Sequence, residues 1–287
     1  MRIVTLVAPG SLDRETLFRA ADRISATEVG AILDGRAAQL RTAVPQVEAR
    51  VALEALLEGV DVLVRDDAAP LPRLIVADMD STMITVECID ELADYAGIKP
   101  AVAEITERAM SGELDFPEAL AARVRLLEGL PAGIIDRCLT ERVRLAPGAR
   151  TMVRTFRSLG AEALLVSGGF TRFAEPVAAM LGMDAAIANQ LEVEDRALTG
   201  RVTPPIVDAG TKLATLEREV AGGVDRSAVL AIGDGANDAP MLRAAGFAVA
   251  YRPHAIAAEA AHGAIRHTDH RATLYAYGLA EEAWVRD

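Results

Sequence analysis

The 287-residue chain has only two cysteines, Cys88 and Cys138, and neither has a partner at metal-ligand spacing. That excludes a disulfide framework, and both thiols are expected to be small buried groups in a reducing compartment. Positive charge is also scarce. The net charge is −12 with no basic stripe, which argues against nucleic acid or an anionic membrane as partner. The average does not bar an anionic substrate, because one Lys, one Arg and a metal are enough to hold a phosphate locally. No apolar run approaches the roughly 18 residues of a membrane span. The opening Met1-Arg2-Ile3-Val4-Thr5 reaches Ser11 and Asp13 too soon for the apolar stretch of a signal peptide. What is present, 51% hydrophobic and 25% charged residues without low-complexity blocks, predicts a folded cytoplasmic protein. Its length suggests two domains, at about 150 residues each.

The amino-terminal part alternates as strand over 2–8, helix over 11–24, two strands around the turn Asp34-Gly35, helix over 46–57 and strand over 60–65. This βαββαβ order predicts a ferredoxin-like unit with two helices on one face of an antiparallel sheet, and it resembles a degenerate ACT domain. Asp66-Asp67-Ala68-Ala69-Pro70-Leu71-Pro72 is polar and proline-punctuated and reads as a linker. Residues 1–68 are therefore assigned to the first domain and 69–287 to the second.

In the second domain, unbroken apolar runs over 74–77, 163–166 and 229–232 read as strands buried on both faces. They end on or just before Asp78, Ser167 and Asp234. Helical patterns over 147–159, 172–181 and 210–220 alternate with them, so the fold class is α/β with a Rossmann-like parallel sheet. Ligands bind beyond the carboxyl ends of such strands, which predicts one site shared by those three residues. Residues 86–144 break the alternation, being helical nearly throughout. They are expected to form a helical-bundle cap over the strand ends, inserted into a core of 73–85 and 145–287.

Phosphate monoesters resist attack because the phosphorus is already surrounded by negative charge, and neutralisation with in-line positioning is the remedy. Asp78, in Asp78-Met79-Asp80-Ser81-Thr82, can serve as a carboxylate nucleophile, while Asp80 protonates the leaving oxygen and later takes a proton from water. Asp78, Asp80 and Asp234 offer the hard oxygens that Mg²⁺ prefers, and Asp238 would support the metal behind them. Asn237 can donate a hydrogen bond without adding charge. Ser167 and Gly168, between a strand and a helix, can cradle phosphate oxygens, and Lys212 can offset the carboxylate repulsion. Singly, each feature is ordinary turn or surface chemistry. Their order along the chain, three of them closing predicted strands, gives them force.

These segments, with Val166-Ser167-Gly168-Gly169-Phe170-Thr171 and Gly233-Asp234-Gly235-Ala236-Asn237-Asp238, resemble the motifs of the haloacid dehalogenase superfamily, and within it those of the phosphoserine phosphatases. The likeness runs from about Leu74 to the carboxyl end. It implies hydrolysis of phosphoserine through an aspartyl-phosphate, the last step of serine synthesis, with Mg²⁺ as cofactor. It also implies that in the cap Glu87 meets the substrate ammonium, Arg123 its carboxylate, and Met110 and Phe116 exclude water. For the first domain it implies L-serine feedback or homodimer contacts. Arg172 and Arg252 depart from the family's wording and receive no role. His262, His267 and His270 match no metal-ligand spacing and are expected at the surface.

Three readings stay open on the sequence alone. The leading one is the phosphatase. A second passes the phosphoryl group to an alcohol such as homoserine, or acts on another small phosphomonoester. A third, from another class, is an amino-acid sensor in which the phosphatase-like part serves as an interaction module.

Overall fold

The computed structural model describes residues 1–110 and 113–286, with the side chains of all of these except residues 109 and 110. The first unit runs β1 (Arg2–Val7), α1 (Arg14–Arg23), β2 (Glu28–Leu33), β3 (Ala37–Thr42), α2 (Gln46–Glu54) and β4 (Asp61–Asp66). Helix α1 starts later than the sequence pattern suggests, because Asp13 caps it by accepting the Thr16 N–H at 2.7 Å. The Asp34-Gly35 turn forms as expected, both residues having positive φ, 49° and 72°. The four strands lie in the order β2-β3-β1-β4, all antiparallel, as a ferredoxin-like unit requires.

The second unit opens with β5 (Leu74–Ala77) and leaves it for a cap of four helices: α3 (Cys88–Tyr95), α4 (Lys99–Met110), α5 (Phe116–Arg125) and α6 (Gly133–Arg142). It returns through α7 (Ala149–Ser158), β6 (Glu162–Phe170), α8 (Thr171–Leu181), β7 (Ala185–Glu194), β8 (Ala197–Thr203) and α9 (Ala209–Ala221). The chain finishes with β9 (Val229–Gly233), α10 (Ala239–Ala244), β10 (Phe247–Tyr251), α11 (Ala255–Ala260), β11 (Gly263–Ile265) and α12 (Ala272–Ala276). Strands β11-β10-β9-β5-β6-β7 are parallel, and β8 adds antiparallel at the edge. Two crossings tie the cap to the core, with Ile84 bridging Leu145 and the Thr85 N–H donating to the Arg144 carbonyl at 3.0 Å. No helix among the described residues is long and apolar enough to cross a membrane.

The two units do not hang on a loose linker. Strand β4 pairs antiparallel with β11, so all eleven strands form one sheet. A Cβ on Gly263 would stand 2.6 Å from the Val62 carbonyl oxygen, so the close pairing needs glycine there. Polar side chains of the first unit also satisfy backbone groups of the second. Buried Asp61 accepts from the N–H groups of Arg266, His267 and Thr268 and from the Thr268 hydroxyl. Arg50 donates to the carbonyls of Ala258 and Ala261, and Gln39 to those of Tyr275 and Ala276.

The histidines depart from expectation. His270 is fully buried, its Nε2–H donating to the Thr82 carbonyl at 2.9 Å and its ring stacked 4.0 Å from Tyr251. His262 is half-buried, and its Nδ1 accepts the Ala248 N–H. Of these three histidines only His267 is exposed. Burial pushes the pKa of both His262 and His270 down to about 4.

Two outcomes follow for stability. Asp61→Ala strands buried donors and is expected to lower unfolding free energy by about 2–4 kcal/mol in urea titration. Unfolded histidine titrates near 6.5 and native His270 near 4, so between these values only the unfolded state takes the proton. Stability is therefore lost as pH falls through that window, by about 2 kcal/mol at pH 5 for His270. Comparing urea midpoints at pH 7 and pH 5, His270→Gln should show a smaller drop than wild type.

Candidate active site

Strand β5 ends at Ala77 and delivers Asp78. Strand β9 ends at Gly233 and delivers Asp234, and the last turn of β6 carries Ser167. The first carboxylate group to be fixed belongs to none of these. Asp238 is fully buried, and its Oδ2 accepts the N–H groups of Asp234 and Gly235 at 3.1 and 3.0 Å, so it folds the loop that presents Asp234. A Cβ at Gly233 would lie 2.4 Å from the Asp238 Cγ, so only glycine lets that carboxylate tuck in.

Lys212 sits one turn into α9, whose start is set by a capping box between Asp208 and Thr211. Its ammonium, 1% exposed, lies 2.6 Å from Asp78 Oδ1 and 2.7 Å from Asp238 Oδ1. Burial lowers the pKa of the lysine, but the two carboxylates outweigh it and hold the pKa above the usual value. Burial and neighbouring Asp238 push the Asp78 carboxyl well above the ordinary range, and Lys212 opposes them. The lysine thus keeps the two carboxylates from repelling each other in a dry site.

The remaining acids differ in their surroundings. Asp234 accepts the Thr82 hydroxyl at 2.7 Å, and burial raises its pKa to about 6. Asp80 accepts the Cys88 N–H at 2.9 Å, at the start of the first cap helix, and lies 3.5 Å from the Ser167 hydroxyl. Burial first, and then the charge of Glu87, raise the Asp80 pKa to about 7. That suits a group that must hold a proton and then give it up.

Two members of the expected metal set, Asp78 and Asp234, come together with Asp238. Asp78, Asp234 and Asp238 bring carboxylate oxygens within 4.8 Å of one another, and Asp80 is not part of that group because its carboxylate is turned to Cys88 and Ser167. Lys212 and two backbone N–H groups occupy Asp238. Asp78 and Asp234 each keep one oxygen without a hydrogen bond among the described residues. A set of carboxylate oxygens facing one point fits a hard divalent cation.

A cavity of about 260 Å³ opens between these carboxylates and the cap. Its floor is Asp78, Asp80, Asp234, Ser167 and Gly168, and Asn237 lies on its rim. The cap contributes Glu87, Phe116 and Arg123. Glu87 accepts the Ser81 hydroxyl at 2.6 Å, while among the described residues Arg123 bonds only to a carbonyl of its own helix, at 3.3 Å, and burial lowers its pKa. Phe116 reaches down to Gly168, where a Cβ would sit 3.0 Å from its ring. The Met110 side chain lies outside the described residues.

Four supporting residues received no role in the sequence reading. Asn189 on β7, fully buried, donates to the carbonyls of Gly168 and Val207 and accepts the Val207 N–H. It joins the Ser167 loop to the approach of α9. A lone Asn in an apolar strand was the available signal. Thr82 and His270 form the other link, His270 holding the Thr82 backbone while its hydroxyl holds Asp234. Arg172, unassigned from sequence, pairs with Asp136 of α6 at 3.0 Å and so fastens the core to the cap.

The sequence pattern of haloacid dehalogenase-like hydrolases matches residues 75–243. The chain belongs to this family. A phosphoserine phosphatase of Streptomyces coelicolor is 47% identical over 237 residues, which are 81% of this chain and 57% of that one. The chain spans 55–65% of the length of three such curated relatives. Among solved structures, a probable phosphoserine phosphatase of Vibrio cholerae in unliganded form superimposes with a TM-score of 0.79 at 32% identity, over 98% of this chain and 88% of that one. A substrate-bound phosphoserine phosphatase complex does so with a TM-score of 0.66 at 34% identity, over 72% and 98%. In the family's core, then, Asp78 and Asp234 follow the carboxyl ends of parallel strands, and Lys212 reaches Asp78 from α9.

Lys212→Met leaves two buried carboxylates unpaired and is expected to cost about 3–5 kcal/mol at pH 7. Protonation relieves that repulsion, so the deficit against wild type should shrink at pH 5 in the same urea titration. An undiminished deficit would contradict the charge argument.

Proposed function

We propose that the chain hydrolyses O-phospho-L-serine to L-serine and phosphate with the help of Mg²⁺. The observation that carries this reading is the single cavity with an anion-attacking end, Asp78 beside Ser167, and a second end where Glu87 and Arg123 offer opposite charges. A free amino acid esterified by phosphate carries an ammonium and a carboxylate that match those two side chains. The names of the family members described above point the same way.

In this reading Asp78 attacks phosphorus in line with the serine oxygen. The P–O bond to serine breaks, and Asp80 gives its proton to that oxygen, so serine leaves as a neutral alcohol. The phosphoryl group now rests on Asp78. Asp80, a carboxylate after the first step, takes a proton from a water that attacks phosphorus, and phosphate departs with Asp78 restored. The Ser167 hydroxyl and the Gly169 N–H, the latter donating to Ser167 Oγ at 2.9 Å, shape the cradle for the phosphate oxygens. Mg²⁺, held by Asp78 and Asp234, would supply the positive charge that a dianionic phosphate requires. Lys212 opposes the burial that favours a protonated Asp78, and so helps it to attack as a carboxylate.

The test is release of phosphate from phosphoserine with Mg²⁺ present. Asp78→Asn should abolish turnover. Arg123→Ala should raise KM for phosphoserine by about tenfold or more while leaving turnover of p-nitrophenyl phosphate, which lacks the amino acid, nearly unchanged. Absence of phosphate release from every monoester tried would end the phosphatase reading, and dependence of release on added homoserine would turn it into phosphotransfer.

A further inference from the structure

A second cavity, also about 260 Å³, lies at the seam between the ferredoxin-like unit and the core and shares no lining residue with the first. Arg36, from the hairpin turn between β2 and β3, enters it from one side. Arg252, Arg271 and His267 enter it from the other, and the rings of Tyr275 and Trp284 close one wall.

The charges in this cleft are not balanced. The sole carboxylate on its lining, Asp269, is already engaged by Arg271, whose Nε and terminal nitrogen donate to it at 2.9 and 2.5 Å. Neither Arg36 nor Arg252 makes an ion pair among the described residues. The Nε of Arg36 is buried without a hydrogen-bond partner, a costly state for a guanidinium. Arg252 is exposed, on a fixed stretch of backbone. Its φ is +42°, in the left-handed region, its N–H donates to the Ile265 carbonyl at 2.7 Å, and its guanidinium lies 5.6 Å from the centre of the Tyr251 ring. In a chain of net charge −12, two unpaired arginines facing one cavity stand out as a local excess of positive charge.

We propose that this cleft binds a small carboxylate or phosphate anion, gripped by Arg36 from the first unit and Arg252 from the second. The guanidinium fork matches the paired oxygens of either group, and Arg271, backed by Trp284 at 6.0 Å, adds a third donor wall. The volume is below the roughly 300 Å³ of sites for drug-sized ligands, so the occupant is small. Because its two arginines belong to different units, the anion acts as a clamp across the seam. This site does not depend on the reaction proposed above.

The experiment is calorimetric titration of the full chain with inorganic phosphate and, separately, with malonate. Each is followed by thermal unfolding in the presence of the same anion. Wild type should bind at least one of them saturably and unfold at a higher temperature when it is present. Arg36→Met and Arg252→Met should each weaken that binding about tenfold or more and remove the thermal shift, with the anion-free unfolding temperature confirming that each variant folds. Arg36→Lys, which keeps the charge but loses the fork, should fall between. Binding by malonate alone marks a carboxylate as the natural ligand, and binding by phosphate alone marks a phosphate. Full binding retained in Arg36→Met and Arg252→Met would place the anion in the first cavity and overturn the proposal, as would no saturable binding of either anion to wild type.

Discussion

The buried ammonium of Lys212 is the contact on which the site depends. A lysine excluded from water survives charged only with close carboxylates, and two carboxylates at hydrogen-bonding distance from the same atom survive charged only with a cation. Lys212, Asp78 and Asp238 meet both conditions at once. Asp238 then passes the constraint to the Asp234 loop through two backbone N–H groups, and Asp208 passes it to α9 through the capping box. Two strand ends and one helix start are thereby fixed against each other by a few polar atoms, with Asn189 tying in a third strand end, at Gly168, from the side.

Glu87 has a related but opposite effect. Its charge helps keep the proton on Asp80, and it stands where the cap meets the core, one residue before the N–H that Asp80 accepts. In the proposed reaction an ammonium beside Glu87 offsets that charge and makes the Asp80 proton easier to release. Binding of the amino acid end and readiness of the acid are then coupled through one side chain, which a substrate lacking the ammonium would not engage.

Much of this was legible in the sequence because the chemistry is local. Apolar runs without alternation marked β5, β6 and β9, and the polar residues ending them marked the site. The βαββαβ order of the first unit was likewise readable from the Asp34-Gly35 turn and the strand and helix patterns around it. Strands β7, β10 and β11 were not. They are rich in alanine or only three residues long, so their strand character comes from neighbours rather than from propensity. The same cause hid the seam, since pairing of β4 with β11 joins residues distant in sequence. His270 was misread as exposed because a histidine on a polar stretch gives no sign that an aromatic and a carbonyl will enclose it. The turn of the Asp80 carboxylate toward Cys88 and Ser167 was not legible either, because two-residue spacing does not say which way a carboxylate points.

The single eleven-stranded sheet also bears on how the chain is made. Emerging first, the ferredoxin-like unit can complete its own four strands, but the outer edge of β4 must wait for β11, about two hundred residues later. In that interval β4 presents unpaired backbone groups, flanked by Asp61, Arg65 and Asp66, charges of the kind that discourage pairing with a stranger. Asp61, the same residue that later binds the loop after β11, thus guards during synthesis the edge that it helps to close.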